Sequence, residues 1–187
     1  MKYFIDVVLL FFALPLFLFF YPIISLLILI FDGTPILYSQ LRVGLYGNEF
    51  KLYKFRTMSI LSDDSVHQNH YENLSENKKI EPSLTPDNPI RIENDDRITK
   101  VGNILRKTSL DELPNIINVL IGNMSFVGPR PLVKYESDLY GKYLEERNSV
   151  KPGITGLAQI QGRLDLSLQE RLYWDCLLYT SPSPRDN

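Results

Sequence analysis

The chain holds 187 residues, and its most promising chemistry lies in one adjacent acid pair, Asp111 and Glu112, within Ser109-Leu110-Asp111-Glu112-Leu113-Pro114. A carboxylate at a helix start, near bases, can act as a nucleophile or hold a divalent metal. The same residues also read as a capping signal. Ser109 with Glu112 three positions later fits a capping box, two acids suit the positive end of a helix, and Pro114 is tolerated only near a helix start. The candidate phosphate-binding bases are spread more widely. Lys54 and Arg56 fall two apart, so on one strand their side chains share a face. Arg106 precedes Asp111 by five residues, Arg130 is held between Pro129 and Pro131, and Arg163 follows Gly162. A stiff backbone aims a guanidinium well, and guanidinium binds phosphate bidentately. Each base alone reads as a solvated surface charge; together, beside an acid pair, they point to phosphate chemistry.

Several other chemistries are excluded. Gly122 to Gly128 lacks the Gly-Lys-Ser/Thr ending of a phosphate-binding loop, and neither G-x-G-x-x-G nor H-E-x-x-H occurs. Lys and Arg number 20 against 22 Asp and Glu, a net charge of −2, which argues against nucleic acid as a partner. One cysteine rules out a disulfide framework and a Cys-based zinc site. His67 and His70 lie in a polar stretch and read as loop residues.

These residues need elements to position them. Val7 to Phe31 carries no charge; as a helix its 25 residues would extend about 37 Å, enough to cross a bilayer core of about 30 Å. Pro15 and Pro22 interrupt it, leaving two main geometries: a kinked single span, or a broken helix that re-enters the same face. A cleaved signal peptide, the third reading, would want a basic start and a small-residue cleavage site; only Lys2 precedes the run and no A-x-A-like site follows it. Lys2 and the downstream Arg42, Lys51, Lys54 and Arg56 both prefer the cytoplasm; if both ends lie there the segment re-enters, but so few charges leave the two geometries open. Ile36–Gln40 and Phe50–Phe55 read as strands of a hairpin around Tyr46-Gly47-Asn48. Residues 59–94, with seven acids, three bases and three prolines, read as a mobile insertion. Helices are expected over Val101–Arg106, Leu110–Leu120, Tyr135–Arg147 and from Leu166 to Asp175. Loops are expected over 121–131, and loop or strand from Pro152 to Gly162. The tail Cys176–Asp186 matches a translated transposase sequencing adapter, so residues 176–187 are expected to be foreign to the protein.

From about Phe4 to Asp175 the chain resembles the bacterial sugar transferases, monotopic phosphoglycosyl transferases. The motifs that carry the likeness are Tyr53-Lys54-Phe55-Arg56-Thr57-Met58, Asp96-Arg97-Ile98-Thr99-Lys100-Val101-Gly102, Ser109 to Asn115, and Asn118-Val119-Leu120. They continue with Met124-Ser125-Phe126-Val127-Gly128-Pro129-Arg130-Pro131, Lys151-Pro152-Gly153-Ile154-Thr155-Gly156-Leu157-Ala158-Gln159 and Gln161-Gly162-Arg163. The resemblance implies an α+β monotopic membrane protein. A Pro-broken re-entrant helix over 1–31 would carry a small cytoplasmic catalytic domain over 32–175, on the cytoplasmic face of the bacterial inner membrane. It implies that Asp111 is the nucleophile and a Mg²⁺ ligand, with Glu112 its partner. Lys54, Arg56, Arg106, Arg130, Gln159 and Arg163 would bind phosphate or substrate. The implied reaction passes a phosphosugar from a UDP-sugar to polyprenyl (undecaprenyl) phosphate through an aspartyl-phosphosugar and releases UMP. That step begins an exopolysaccharide, capsule, lipopolysaccharide or glycoprotein glycan, with downstream glycosyltransferases and membrane lipid as further partners. Two rivals are a non-catalytic membrane-anchored scaffold for glycan assembly and a transferase of soluble substrates on a plain anchor. The chain departs from the family at its helix break, where Tyr21-Pro22 and an extra Pro15 replace a common Ser-Pro.

Overall fold

The computed structural model describes residues 2–59, 96–138, 140–162, 166 and 168–180. The 60–94 part of the expected insertion, both histidines and Arg163 lie outside them.

The first element, α1, is a single helix over Lys2–Phe31 that contains both Pro15 and Pro22. The expected break is therefore not seen. Each proline removes one donor to the carbonyl four residues back, but both sit on the exposed side of the helix. The opposite side stays intact and packs on the rest of the chain. It presents Asp6, Leu10, Phe17, Tyr21, Ile24 and Ile28, spaced by threes, fours and a seven, so they form one stripe. Away from that stripe the surface is almost wholly apolar, including Phe4, Phe11, Phe12, Leu16, Phe19, Leu26 and Ile30. By length and composition the helix could cross a membrane.

Next come β1 (Leu37–Val43) and β2 (Glu49–Phe55), the expected antiparallel hairpin, with Leu37 opposite Phe55 and Val43 opposite Glu49. A short 3₁₀ turn, Leu45–Gly47, joins them. Helix α2 (Lys100–Thr108) starts on Thr99, whose hydroxyl accepts from the Gly102 amide and donates to Asp32. Gly102 sits so close to the Thr57 carbonyl that a Cβ there would lie 2.1 Å from its oxygen. The predicted helix over Leu110–Leu120 is instead a one-turn 3₁₀ segment, Leu110–Glu112, followed by α3 (Asn115–Leu120). The predicted loop over 121–131 contains a short strand, β3 (Ser125–Val127).

The expected helix over Tyr135–Arg147 breaks into α4 (Lys134–Asp138), a 3₁₀ turn at Gly141–Tyr143, and α5 (Leu144–Arg147). Gly141 takes a φ of +50°, which a continuous helix does not allow. Strand β4 (Gly153–Thr155) pairs with β3 in parallel, and α6 (Leu157–Ile160) and α7 (Leu168–Thr180) complete the chain. Helix α7 carries the expected helix past Asp175 into the tail.

The core has two parts strung along α1 and β2. Ile24 and Ile28 of α1 meet Phe55 and Leu105. Phe50 and Leu52 meet Val119 and Met124, with Leu10 packed alongside. The fold is thus mixed helix and strand, and its N-terminal apolar helix forms part of the core.

Candidate active site

The acid pair sits at a reversal of the chain. Ser109 ends α2 in the left-handed region, with φ +58° and ψ +16°, an uncommon conformation for a residue with a side chain. The expected capping box does not form: Ser109 makes no side-chain cap to the turn that follows. The left-handed residue redirects the chain, so the next turn carries Asp111 and Glu112 toward β2. Pro114 at the head of α3, with φ −63°, starts the next helix without needing an amide partner.

Lys54 arrives from β2. Strand alternation puts it on the same face as Phe50 and Leu52. Its Nζ lies 2.7 Å from Glu112 Oε1 and 3.9 Å from Asp111 Oδ2. Arg130 arrives from the Gly128–Pro131 loop after β3, and its Nη1 lies 3.3 Å from the same Glu112 oxygen. Four of the residues singled out from the sequence are therefore brought together.

Elsewhere the placement differs. Arg56 is buried, and its guanidinium donates to the carbonyls of Asp32, Gly33 and Thr34 at 2.5, 2.7 and 2.8 Å. It closes the C-terminal end of α1, where exposed carbonyls favour a cation, and so it does not join the acid pair. Arg106 donates from Nε to the Thr57 hydroxyl at 2.9 Å, near enough to Asp111 to act on its charge. Gln159, on α6, donates to the Ile154 carbonyl at 3.0 Å, and no bond links it to the acids.

The pair's two members titrate in opposite directions. Burial raises Asp111 above the ordinary aspartate value, with Glu112 adding to the rise and Lys54 opposing it. Burial would raise Glu112 too, but Lys54 and Arg130 outweigh it and hold its carboxyl at about 2. Burial and neighbouring Arg130 lower the Lys54 ammonium. Glu112 is thus a fixed anion that gathers two cations. Asp111 is the more basic carboxylate and accepts no hydrogen bond from a described residue.

Three supporting residues were given no place at the site by the sequence reading, although Asn118 stands in a family motif and Arg42 among the flanking bases. Asn118 is fully buried; its amide accepts from the Tyr53 amide at 3.1 Å and donates to the Lys51 carbonyl at 2.7 Å. It stands in for a missing strand along the outer edge of β2, just before Lys54. A polar residue inside Ile116-Ile117-Asn118-Val119-Leu120 was the available signal. Arg42 bonds Gln40 and the Pro131 carbonyl and pairs with Glu136, lining the same cavity as Lys54, Glu112, Asn115 and Arg130. Asp6, inside the apolar helix, accepts from the Ser125 hydroxyl at 2.8 and 2.9 Å and from the Phe126 amide at 3.0 Å. Its isolation as an acid among apolar residues was the only clue.

Known proteins resemble this chain closely. It is 41% identical over 157 residues to the UDP-galactose-lipid carrier transferase of Erwinia amylovora, covering 81% of this chain and 31% of that one. It is 42% identical over 142 residues to the UDP-glucose:undecaprenyl-phosphate glucose-1-phosphate transferase of Escherichia coli, covering 74% and 26%. With the exopolysaccharide production protein ExoY of Rhizobium meliloti it shares 40% over 171 residues, covering 86% and 67%. The chain therefore spans about three tenths of the first two relatives and two thirds of the third. The family model described as bacterial sugar transferase matches residues 1–183, and the chain belongs to that family.

Proposed function

We propose that this chain transfers a phosphosugar from a UDP-sugar to undecaprenyl phosphate, with Asp111 as the covalent nucleophile. The supporting observation is the asymmetric acid pair: Glu112 holds Lys54 and Arg130 on one oxygen, while the neighbouring, more basic Asp111 accepts no hydrogen bond from a described residue and meets Lys54 only at 3.9 Å. An Asp111 carboxylate oxygen attacks the phosphorus that bears the sugar. The bond from that phosphorus to the bridging oxygen breaks, and UMP leaves with the electron pair. An oxygen of undecaprenyl phosphate then attacks the aspartyl-phosphosugar. The bond to Asp111 breaks, its carboxylate is restored, and a polyprenyl-diphosphate sugar results. An anion attacking an anionic phosphate needs its charge neutralised in the transition state. Lys54 and Arg130, both paired with Glu112, would do this, with Arg106 adding its charge beside Asp111. Gln159 and Arg163 are retained as substrate contacts on the family resemblance alone, whereas the bonds of Arg56 favour an anchoring role.

The residues fit a Mg²⁺ ion of the substrate-dependent kind. Such an ion takes one or two carboxylates and completes its shell with phosphate oxygens and water. Among the described residues no group of three His, Cys, Asp or Glu gathers; on the family resemblance, Asp111 would be the protein ligand. When bound, the ion would supply positive charge to the phosphate oxygens.

The apolar surface of α1 supports a membrane location, which the lipid substrate also requires. Both ends of α1 are tied to the same domain, Asp6 to Ser125 and Asp32 to Thr99. That favours a monotopic arrangement on the cytoplasmic face, where UDP-sugars are made. The likeness to the exopolysaccharide production protein of Rhizobium meliloti supports a role in exopolysaccharide synthesis, where later glycosyltransferases would use the product.

The test is UMP release by the membrane-embedded protein from UDP-glucose, UDP-galactose and their N-acetylamino counterparts, with Mg²⁺, with and without undecaprenyl phosphate. Multiple turnovers that need the lipid and vanish in Asp111→Asn are expected. Turnover unchanged in Asp111→Asn would overturn the assignment. Silence with every donor would favour the scaffold reading.

A further inference from the structure

Behind Arg130 lies a buried ion pair that the proposed reaction leaves unexplained. The Pro129-Arg130-Pro131 loop has prolines on both sides of its one cation, so it offers few amide donors of its own. It is held instead by its carbonyls, each from a different element. The Gly153 amide of β4 donates to Pro129 at 2.9 Å, Arg147 Nη2 of α5 donates to Arg130 at 2.5 Å, and Arg42 Nη1 of β1 donates to Pro131 at 3.3 Å.

The middle bond stands apart. The Arg147 and Asp175 side chains are 2% and 3% exposed, and Arg147 Nε meets Asp175 Oδ2 at 2.9 Å. The guanidinium carbon of Arg147 also lies 5.2 Å from the centre of the Tyr140 ring. Burial raises the Asp175 carboxyl above its ordinary value even against the Arg147 charge, so the pair is held in place at a cost. A buried ion pair is weak evidence of a stability gain, because apolar residues of the same volume often do as well. An apolar pair here could not hold the Arg130 carbonyl. The bonds run on without a gap: Asp175 to Arg147, Arg147 to the Arg130 backbone, Arg130 to Glu112, and Glu112 to Lys54.

We propose that Arg147 and Asp175 are positioning residues: α7, through this buried pair, fixes the Arg130 backbone and so aims its guanidinium at the acid pair. The proposal rests on the assignment of Arg130 and the acid pair to the active site. It assigns a working role to α7, which otherwise only covers α5 and α6.

The experiment is a double-mutant cycle on the full chain in membranes, using the UDP-sugar it turns over, with UMP release as the readout. Each variant is first checked for a wild-type circular dichroism spectrum. Arg147→Lys keeps a charge but loses the fork that reaches two partners at once. Its kcat should fall about 10- to 100-fold, because a displacement of about 1 Å near the chemistry costs up to about 10²-fold. Made in an Arg130→Gln background, the same change should cost no more than about twofold, since residues acting through one another are not additive. A purely structural pair would give losses that multiply, and that result, or a folded Arg147→Lys with wild-type kcat, overturns the proposal. If Arg147→Lys does not fold, Asp175→Asn is read in the same cycle against the same two outcomes. Asp111→Asn separates the two layers. If it is inactive while the losses multiply, only the positioning role falls; if it turns over like wild type, the active-site assignment falls with it.

Discussion

At Glu112 two cations converge on one oxygen, so the residue holds the site together as well as serving it. Glu112→Gln keeps the shape and removes the charge. Charge-assisted bonds contribute about 1.5–3 kcal/mol each, and about 1 kcal/mol moves the melting temperature of a chain this size by about 2–4 °C. A drop of several degrees is therefore expected in a thermal melt. The pH dependence of that stability follows from the sign. The folded carboxyl, at about 2, lies below its ordinary 4.5, so its contribution is full above pH 4.5 and is lost as pH falls toward 2. Asp111 behaves oppositely, because burial makes its charged form unfavourable. Asp111→Asn should melt no lower than wild type, and up to about 2–4 °C higher if about 1 kcal/mol is relieved, while losing turnover. A clear fall in its melting temperature would count against the strained-carboxylate account. Since attack needs the ionised acid, UMP release should decline on the acid side as the Asp111 carboxyl is protonated, and a kcat/KM that stays level as pH falls through the carboxylate range would count against a carboxylate nucleophile.

Among the elements, β2 shows how a site residue is held by parts that are invisible locally. One edge of β2 pairs with β1; the other is satisfied around Leu52 by the Asn118 amide. Asn118→Leu would leave a buried amide and a carbonyl unpaired, each costing about 1–3 kcal/mol. The variant should be markedly less stable by denaturant unfolding, and its kcat should fall as Lys54 drifts. Such roles explain what could and could not be read beforehand. The β1–β2 hairpin was legible because alternation and turn residues are local signals. The acid pair and Lys54 were legible by residue type and family motif. The capping box was misread because it presumes a helix at Ser109, where a left-handed residue instead reverses the chain. Arg56 was grouped with the candidate phosphate-binding bases by strand parity, which names a face and says nothing of the Asp32, Gly33 and Thr34 carbonyls that its guanidinium reaches. Arg147 entered only as the end of the expected Tyr135–Arg147 helix, since nothing local signals a partner 28 residues away.

For the molecule as a whole, α1 is a structural part of the domain and not a detachable leader. Ile24 and Ile28 fill the core beside Phe55 and Leu105. Removing residues 2–31 should give a chain that aggregates or binds hydrophobic dyes, even in detergent, and not a soluble catalytic domain. A monodisperse, cooperatively melting truncation would contradict this. Single cysteines at Phe4 and Phe31, in a Cys176→Ser background, should label from the same side of a sealed vesicle if the helix lies along the membrane; labelling from opposite sides would establish a span. The bond between Asp6 and Ser125 also has a consequence in time. The two residues are 119 positions apart, so at about 5–20 residues per second of synthesis the acid waits about 6–24 s for its partner to be made. During that interval the newborn helix carries an unsatisfied carboxylate near its leading end, where burial in hydrocarbon is costly. On the monotopic arrangement proposed above, that carboxylate would hold the nascent chain at the lipid–water boundary until the domain closes over Asp6, so the order of translation would itself work against deep insertion.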